Sequence, residues 1–259
     1  MINLDVDARG VARLTLARAE KHNALSQAMI DDLTAMAGRI AADRRIRVVV
    51  LAAEGPTFCA GGDLGWMRDQ MAGDAAQRRA AAGSLAGMLQ ALNTLPQPLI
   101  GRIHGNAFGG GVGLACVCDV AIAAKGARFG LTETRLGLIP ATIGPYVLAR
   151  MGEARARRVF MSSRIFDAEE AAGLDILARV VPAETLDSAI AAEVEPYLHC
   201  GPQAVAAAKA YARSLGPVID DATIARSIDA LIASWGGAEA EEGIAAFFAK
   251  RSPQWPGLA

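Results

Sequence analysis

The chain has 259 residues, 53% of them hydrophobic, 20% charged and 5% aromatic, with a formal net charge of −1. That length accommodates one large domain, or a main domain with an appendage, around a sizeable core. The 26 basic and 27 acidic residues form no basic run and aromatics are few, which argues against a nucleic-acid partner; no apolar run reaches the ~18 residues of a membrane span.

Residues 11–16 (VARLTL) alternate and predict a strand. Residues 26–42 open on an N-cap serine and space their apolar positions helically. Residues 47–52 (RVVVLA) predict a strand buried on both faces. A loop containing glycine and proline follows through Gly62, with Asp63 placed to cap a helix. An Ala-rich helix is predicted over 74–95, ended by Pro96 and Pro98. A buried strand at 99–103, a short helix at 109–118 and a strand at 119–123 come next. Beyond Pro140 the pattern turns helical, at 153–161, 167–172, 185–198, 202–215, 221–235 and 238–250. Alternating strands and helices followed by a helical tail predict an α/β fold with mostly parallel pairing.

The four cysteines, Cys59, Cys116, Cys118 and Cys200, lack zinc-knuckle spacing and fit a reducing compartment. No metal site is expected. The opening residues, MINLDVD, carry no signal pattern, and a cytoplasmic protein is expected.

Three segments carry the chemistry: residues 58–63 (FCAGGD), 104–111 (HGNAFGGG) and 129–133 (FGLTE). In the first, Gly62 offers an N–H that no side chain shields, although tight turns use the same residues. In the second, Gly109, Gly110 and Gly111 open a helix whose free N–H groups suit an oxyanion. No Lys-Ser/Thr follows to make a nucleotide P-loop, and close strand–helix packing is the alternative use of the glycines. The third supplies one carboxylate, Glu133. Two bare N–H groups and a carboxylate are what acyl-thioester enolate chemistry requires. His22, His104 and His199 form no recognisable triad, and Cys59 has no evident activating base.

In their order and spacing these motifs resemble the enoyl-CoA hydratase/isomerase (crotonase) superfamily, across nearly the whole chain from Asn23 to Arg251. The resemblance implies a crotonase-like spiral of ββα units over residues 1–195, and a C-terminal helical region over 196–259 serving trimerisation and CoA capping. It implies an acyl-CoA thioester substrate, no separate cofactor because CoA arrives as part of that substrate, and a homotrimer or dimer of trimers. It makes Gly62 and Gly110 the oxyanion donors and Glu133 the proton carrier. Ala60, Gly61, Asp63, Leu64, Gly109 and Gly113 then line the substrate path, and Lys21 or Arg18, with Lys250, meets CoA phosphates.

One departure matters. Hydratases of the family commonly carry a second glutamate two residues after the triple glycine, and that place is Gly113 here. One carboxylate must then do both proton transfers, or the chain isomerises a 3-enoyl thioester instead. The segments FCAGGDLGWM and RLGLIPATIGPYV are similar to bacterial hydratases of methylglutaconyl-CoA type, for which Arg135 is a candidate partner of a substrate carboxylate. The aspartate used by dienoyl-CoA isomerases, eight residues past the glutamate, is Ala141. Hydratase is the first reading, isomerase the second, and a non-catalytic CoA-binding protein the third.

Overall fold

Uninterrupted apolar runs make the centre of the molecule, seen in a computed structural model that describes residues 1–255. Strands β1 (Ile2–Val6) and β2 (Val11–Leu16) form an antiparallel hairpin, and helix α1 (Gln27–Ala42) follows with the Ser26 hydroxyl accepting from the Met29 N–H. β3 (Val48–Ala53) is buried along its whole length. From here one unit recurs: a long strand, a strand of three residues, then helix. β3 leads to β4 (Thr57–Cys59), α2 (Leu64–Ala72) and α3 (Ala75–Asn93). β5 (Leu99–Ile103) leads to β6 (Asn106–Phe108) and α4 (Gly110–Val117). β7 (Val120–Ala124) leads to β8 (Arg128–Gly130) and α5 (Gly144–Phe160). The chain continues through β9 (Phe166–Asp167), α6 (Ala168–Gly173), β10 (Arg179–Val181), α7 (Leu186–Leu198), α8 (Pro202–Leu215), α9 (Asp221–Trp235) and α10 (Ala238–Phe248).

The long strands, with the three-residue β10 at one edge, make one sheet in the order β1-β2-β3-β5-β7-β10, parallel except for β1. The short ones make a second sheet, β4-β6-β8-β9, parallel from β4 to β8. This is the expected α/β spiral of ββα units with a helical C-terminal region. Leu14, Leu16, Met29, Leu33, Leu51 and Leu89 belong to the main core. Val48, Val50, Ile100 and Ile122 point the other way, onto Leu186, Ile190 and Val194 of α7. A third cluster joins Met67 and Leu138 to Leu231, Trp235 and Ile244 of the C-terminal helices.

Several expectations need correction. The helix expected at 153–161 is the second half of α5, which begins at Gly144 and kinks at Gly152 (φ +69°). β1, the strands of the second sheet and β10 have no counterpart among the predicted elements; β4, β6, β8, β9 and β10 are two or three residues long, too short to show a period, while the five-residue β1 is mostly exposed and interleaved with polar residues. The expected boundary between residues 195 and 196 falls inside α7, which runs on to Leu198. No helix among the described residues is long and apolar enough to cross a membrane.

Asp119 ties the C-terminal helices to the main sheet. Its Oδ2 accepts from the Leu99 N–H at 2.7 Å and from Lys209 Nζ of α8 at 2.6 Å, and Lys209 also donates to the Gln97 carbonyl at 3.1 Å. Removing one partner leaves the other charge buried and unpaired. Asp119→Ala is expected to cost about 3 kcal/mol, read as a lower midpoint in urea or thermal unfolding.

Candidate active site

The second sheet builds the site. β4, β6 and β8 lie side by side, with Thr57 opposite Asn106, Ala107 opposite Phe129 and Phe108 opposite Gly130. Since all three run the same way, the segments that leave their carboxyl ends are neighbours: residues 60–63, residues 109–110 and the 3-10 turn Glu133–Leu136. Gly61 (φ +92°) and Gly109 (φ +49°) turn the backbone where side chains are disfavoured. Positions are close: a β-carbon on Gly110 would lie 3.9 Å from the Gly61 Cα, and one on Gly109 would lie 2.9 Å from Glu133 Oε1.

The N-terminal loop clasps the first segment. Buried Asn23 donates to the Glu54 and Thr57 carbonyls, each at 2.8 Å, and accepts from the Arg18 N–H at 2.9 Å. Leu25 donates to the Gly61 carbonyl at 2.7 Å and accepts from the Asp63 N–H at 3.0 Å, while the Ala60 N–H is taken by the His22 carbonyl at 3.0 Å. These bonds skip Gly62. Among the described residues neither the Gly62 nor the Gly110 N–H has a protein acceptor, whereas the Gly109 N–H is spent on the Gly130 carbonyl at 2.9 Å. Gly110 opens α4, so its N–H stands at the positive end of that helix.

Both glycines and Glu133 line one cleft of about 870 Å³. Burial pushes the Glu133 carboxyl up to about 7, against the opposing pull of its own N–H and that of Thr132. Its Oε2 is buried and has no hydrogen-bond partner among the described residues. A carboxyl poised near neutrality can both take and return a proton. Cys59 is buried and its thiol is pushed up to about 12, which removes it as a nucleophile at neutral pH.

Of the other expected residues, Lys21, Ala60, Gly61, Asp63, Leu64, Gly109 and Arg135 line the cleft. Asp63 caps α2, accepting from the Gly65 and Trp66 N–H groups at 2.8 and 3.2 Å, and pairs with Arg18 at 2.8 Å. Arg18 is therefore already engaged. Lys250, exposed just past α10, does not line the cleft.

Gly113 is the main correction. It is buried inside α4, does not line the cleft, and a β-carbon there would meet Ile143 Cγ2 at 2.6 Å. The space of a second carboxylate is filled by a buried isoleucine, so Gly113 is a packing residue. The sequence reading also missed the far wall, Leu231 and Trp235 of α9 with Phe247 of α10. Those residues sit about a hundred positions from Glu133, and only their helical apolar spacing marked them as inward-facing.

The profile of the family described as enoyl-CoA hydratase/isomerase matches residues 7–257. The chain belongs to that family. It is 34% identical over 241 residues to the enoyl-CoA hydratase ACTT6 of Alternaria alternata, covering 92% of this chain and 78% of that protein. It is 29% identical over 268 residues to the mitochondrial methylglutaconyl-CoA hydratase of Mus musculus, covering 98% of this chain and 82% of that one. The crystal structure of an enoyl-CoA hydratase from Shewanella pealeana superposes with a TM-score of 0.80 at 38% identity, over 98% of this chain and 95% of that one. The protein is thus an enzyme of the hydratase/isomerase family with acyl-CoA chemistry.

Two outcomes follow. Glu133 has its folded pKa raised from 4.5 to about 7, so folding carries no ionisation cost below about 4.5 and loses stability as pH rises through about 7. Glu133→Gln is expected to raise unfolding stability at alkaline pH by at most about 3 kcal/mol and to leave it unchanged near pH ~4. Gly113→Glu is expected to destabilise by about 3 kcal/mol through collision with Ile143 and to give no gain in turnover, checked by calorimetry beside an activity assay.

Proposed function

We propose that the enzyme hydrates a 2-unsaturated acyl-CoA using one carboxylate. The Gly62 and Gly110 N–H groups hold the thioester oxygen. Glu133 removes a proton from water as the water oxygen bonds to C3. The C2=C3 electron pair moves toward the thioester carbonyl, giving an enolate whose charge rests on the two N–H groups. Protonated Glu133 then delivers the proton to C2, and the net change is addition of one water. Each oxyanion donor contributes about 3 kcal/mol of barrier lowering. The scheme uses no metal or redox group, and CoA enters with the substrate. The observation that carries it is the buried Glu133 carboxylate, with a pKa near neutrality and, among the described residues, an oxygen without a hydrogen-bond partner, in the same cleft as two unused N–H groups, while Asp63 there is engaged by Arg18 and the start of α2.

A branched or glutaconyl-type acyl group fits this reading. Arg135 lines the cleft two residues past Glu133, and its guanidinium donates to the Ser163 carbonyl at 3.2 Å while forming no ion pair among the described residues. The name of the methylglutaconyl-CoA hydratase relative supports the same class. Assembly as a trimer or dimer of trimers belongs to the proposal, with exposed Tyr211, Leu215 and Val218 on and after α8 as an apolar face for it. The isomerase alternative draws on the same Glu133 carboxylate, which would take a proton from C2 and return it at C4.

The test follows loss of conjugated enoyl-thioester absorbance with 3-methylglutaconyl-CoA and with crotonyl-CoA. Wild-type enzyme is expected to bleach at least one, and Glu133→Gln to lower kcat by about 10³-fold or more. Inertness toward both, with conversion of 3-hexenoyl-CoA to its conjugated isomer, would establish the isomerase. Activity unaffected by Glu133→Gln would remove Glu133 from the chemistry.

A further inference from the structure

Among the described residues no side chain hydrogen-bonds the Glu133 carboxylate; its placement depends on the backbone of the 3-10 turn Glu133–Leu136. That turn is held by a residue outside the cleft. Ser163 is buried (4% exposed) and sits at φ +50°, in the left-handed region that side chains seldom occupy. Its Oγ accepts the Arg135 N–H at 2.9 Å and lies 2.5 Å from Thr134 Oγ1, while Thr134 Oγ1 donates to the Met161 carbonyl at 3.1 Å.

The Ser163 hydroxyl accepts from the Arg135 N–H, and the Thr134 hydroxyl is within donating reach of the Met161 carbonyl; with the Thr134 proton there, the Ser163 hydroxyl donates to Thr134. The result is one relay, from Arg135 N–H through Ser163 and Thr134 to the Met161 carbonyl, in which each hydroxyl both donates and accepts. The Arg135 guanidinium also donates to the Ser163 carbonyl at 3.2 Å, so both polar ends of Ser163 are committed to the two residues that follow Glu133. The opposite side of the turn rests directly on α10, where a β-carbon on Gly243 would lie 2.5 Å from the Leu136 carbonyl carbon. The turn is therefore clamped between Ser163 and α10.

We infer that Ser163 is a positioning residue for catalysis, its left-handed backbone and directed hydroxyl setting the turn that aims Glu133 between the Gly62 and Gly110 N–H groups. The inference rests on Glu133 being the proton carrier. Strained backbone persists where the surroundings over-determine it, and here the surroundings are the Glu133 turn itself.

The test compares Ser163→Ala, Ser163→Gly, Thr134→Val and Thr134→Ser in steady-state kinetics, with CoA-thioester binding and melting temperature measured alongside. Glycine relieves the backbone but lacks the hydroxyl; serine at 134 keeps its hydroxyl. A displacement of about 1 Å at a reacting group costs roughly 10²-fold. Ser163→Ala, Ser163→Gly and Thr134→Val are expected to lower kcat about 10- to 100-fold with KM and thioester affinity within about 2-fold, and Thr134→Ser to keep wild-type kcat. Looser packing of the turn should also move the low-pH limb of kcat/KM downward as water reaches Glu133. Wild-type kcat in Ser163→Gly would overturn the role of the hydroxyl. Lower melting temperatures with unchanged kcat in the folded fraction would reduce Ser163 to a structural residue. Should the Ser163 variants fail to fold, equal kcat in Thr134→Val and Thr134→Ser would overturn the inference. Glu133→Gln is the separating control: if it stays active the Glu133 reading fails, and if it is dead while the Ser163 variants are fully active only the positioning role fails.

Discussion

Parallel pairing of three very short strands is the constraint on which the site depends. β4, β6 and β8 each contribute three residues, yet their register decides which backbone groups meet beyond their carboxyl ends. Parallel neighbours require crossovers, and each crossover here contributes helix to the core. The same crossovers that build the core thereby bring the site segments together. Side chains reinforce the short ladder: Asn23 bridges the N-terminal loop to β4, and the Asn106 side chain accepts from the Arg128 N–H at 3.0 Å, binding β6 to β8.

The chemistry gains from a feature that costs stability. A carboxylate shut away with an unpartnered oxygen resists ionisation, and that resistance brings its pKa to where a proton can be both accepted and returned. Nothing polar at position 113 relieves it, because Ile143 occupies that space. The cleft lies along a seam, with Leu25, Ile30 and Ile143 from the main core on one side and Met67, Leu138, Leu231 and Trp235 from the C-terminal cluster on the other. Apolar walls beside the two glycine N–H groups lower the local dielectric, which strengthens oxyanion stabilisation.

Charged residues near the cleft divide by what they are already doing. Arg18 is committed to Asp63 at 2.8 Å, which fixes the start of α2. Arg68 stacks on the Phe248 ring at 4.4 Å, joining α2 to α10. Lys21 and Arg135 line the cleft and form no ion pair among the described residues, and the Arg135 guanidinium is held by the Ser163 carbonyl.

Much of this was legible in the residues alone. The apolar runs at 47–52 and 99–103 announce buried strands, Ser26, Asp63 and Asp74 announce helix starts, and the order of the three glycine- and glutamate-bearing segments marks the family, because each signal is carried by residues adjacent in the chain. The small sheet was not legible, since three-residue strands are defined by their partners rather than by any period of their own. Nor was the occupant of the space beside Gly113, the engagement of Arg18, the α9 wall of the cleft or the clamp at Ser163. Each of those depends on a contact between residues distant in sequence, and such contacts exist only once the chain has closed its core around them.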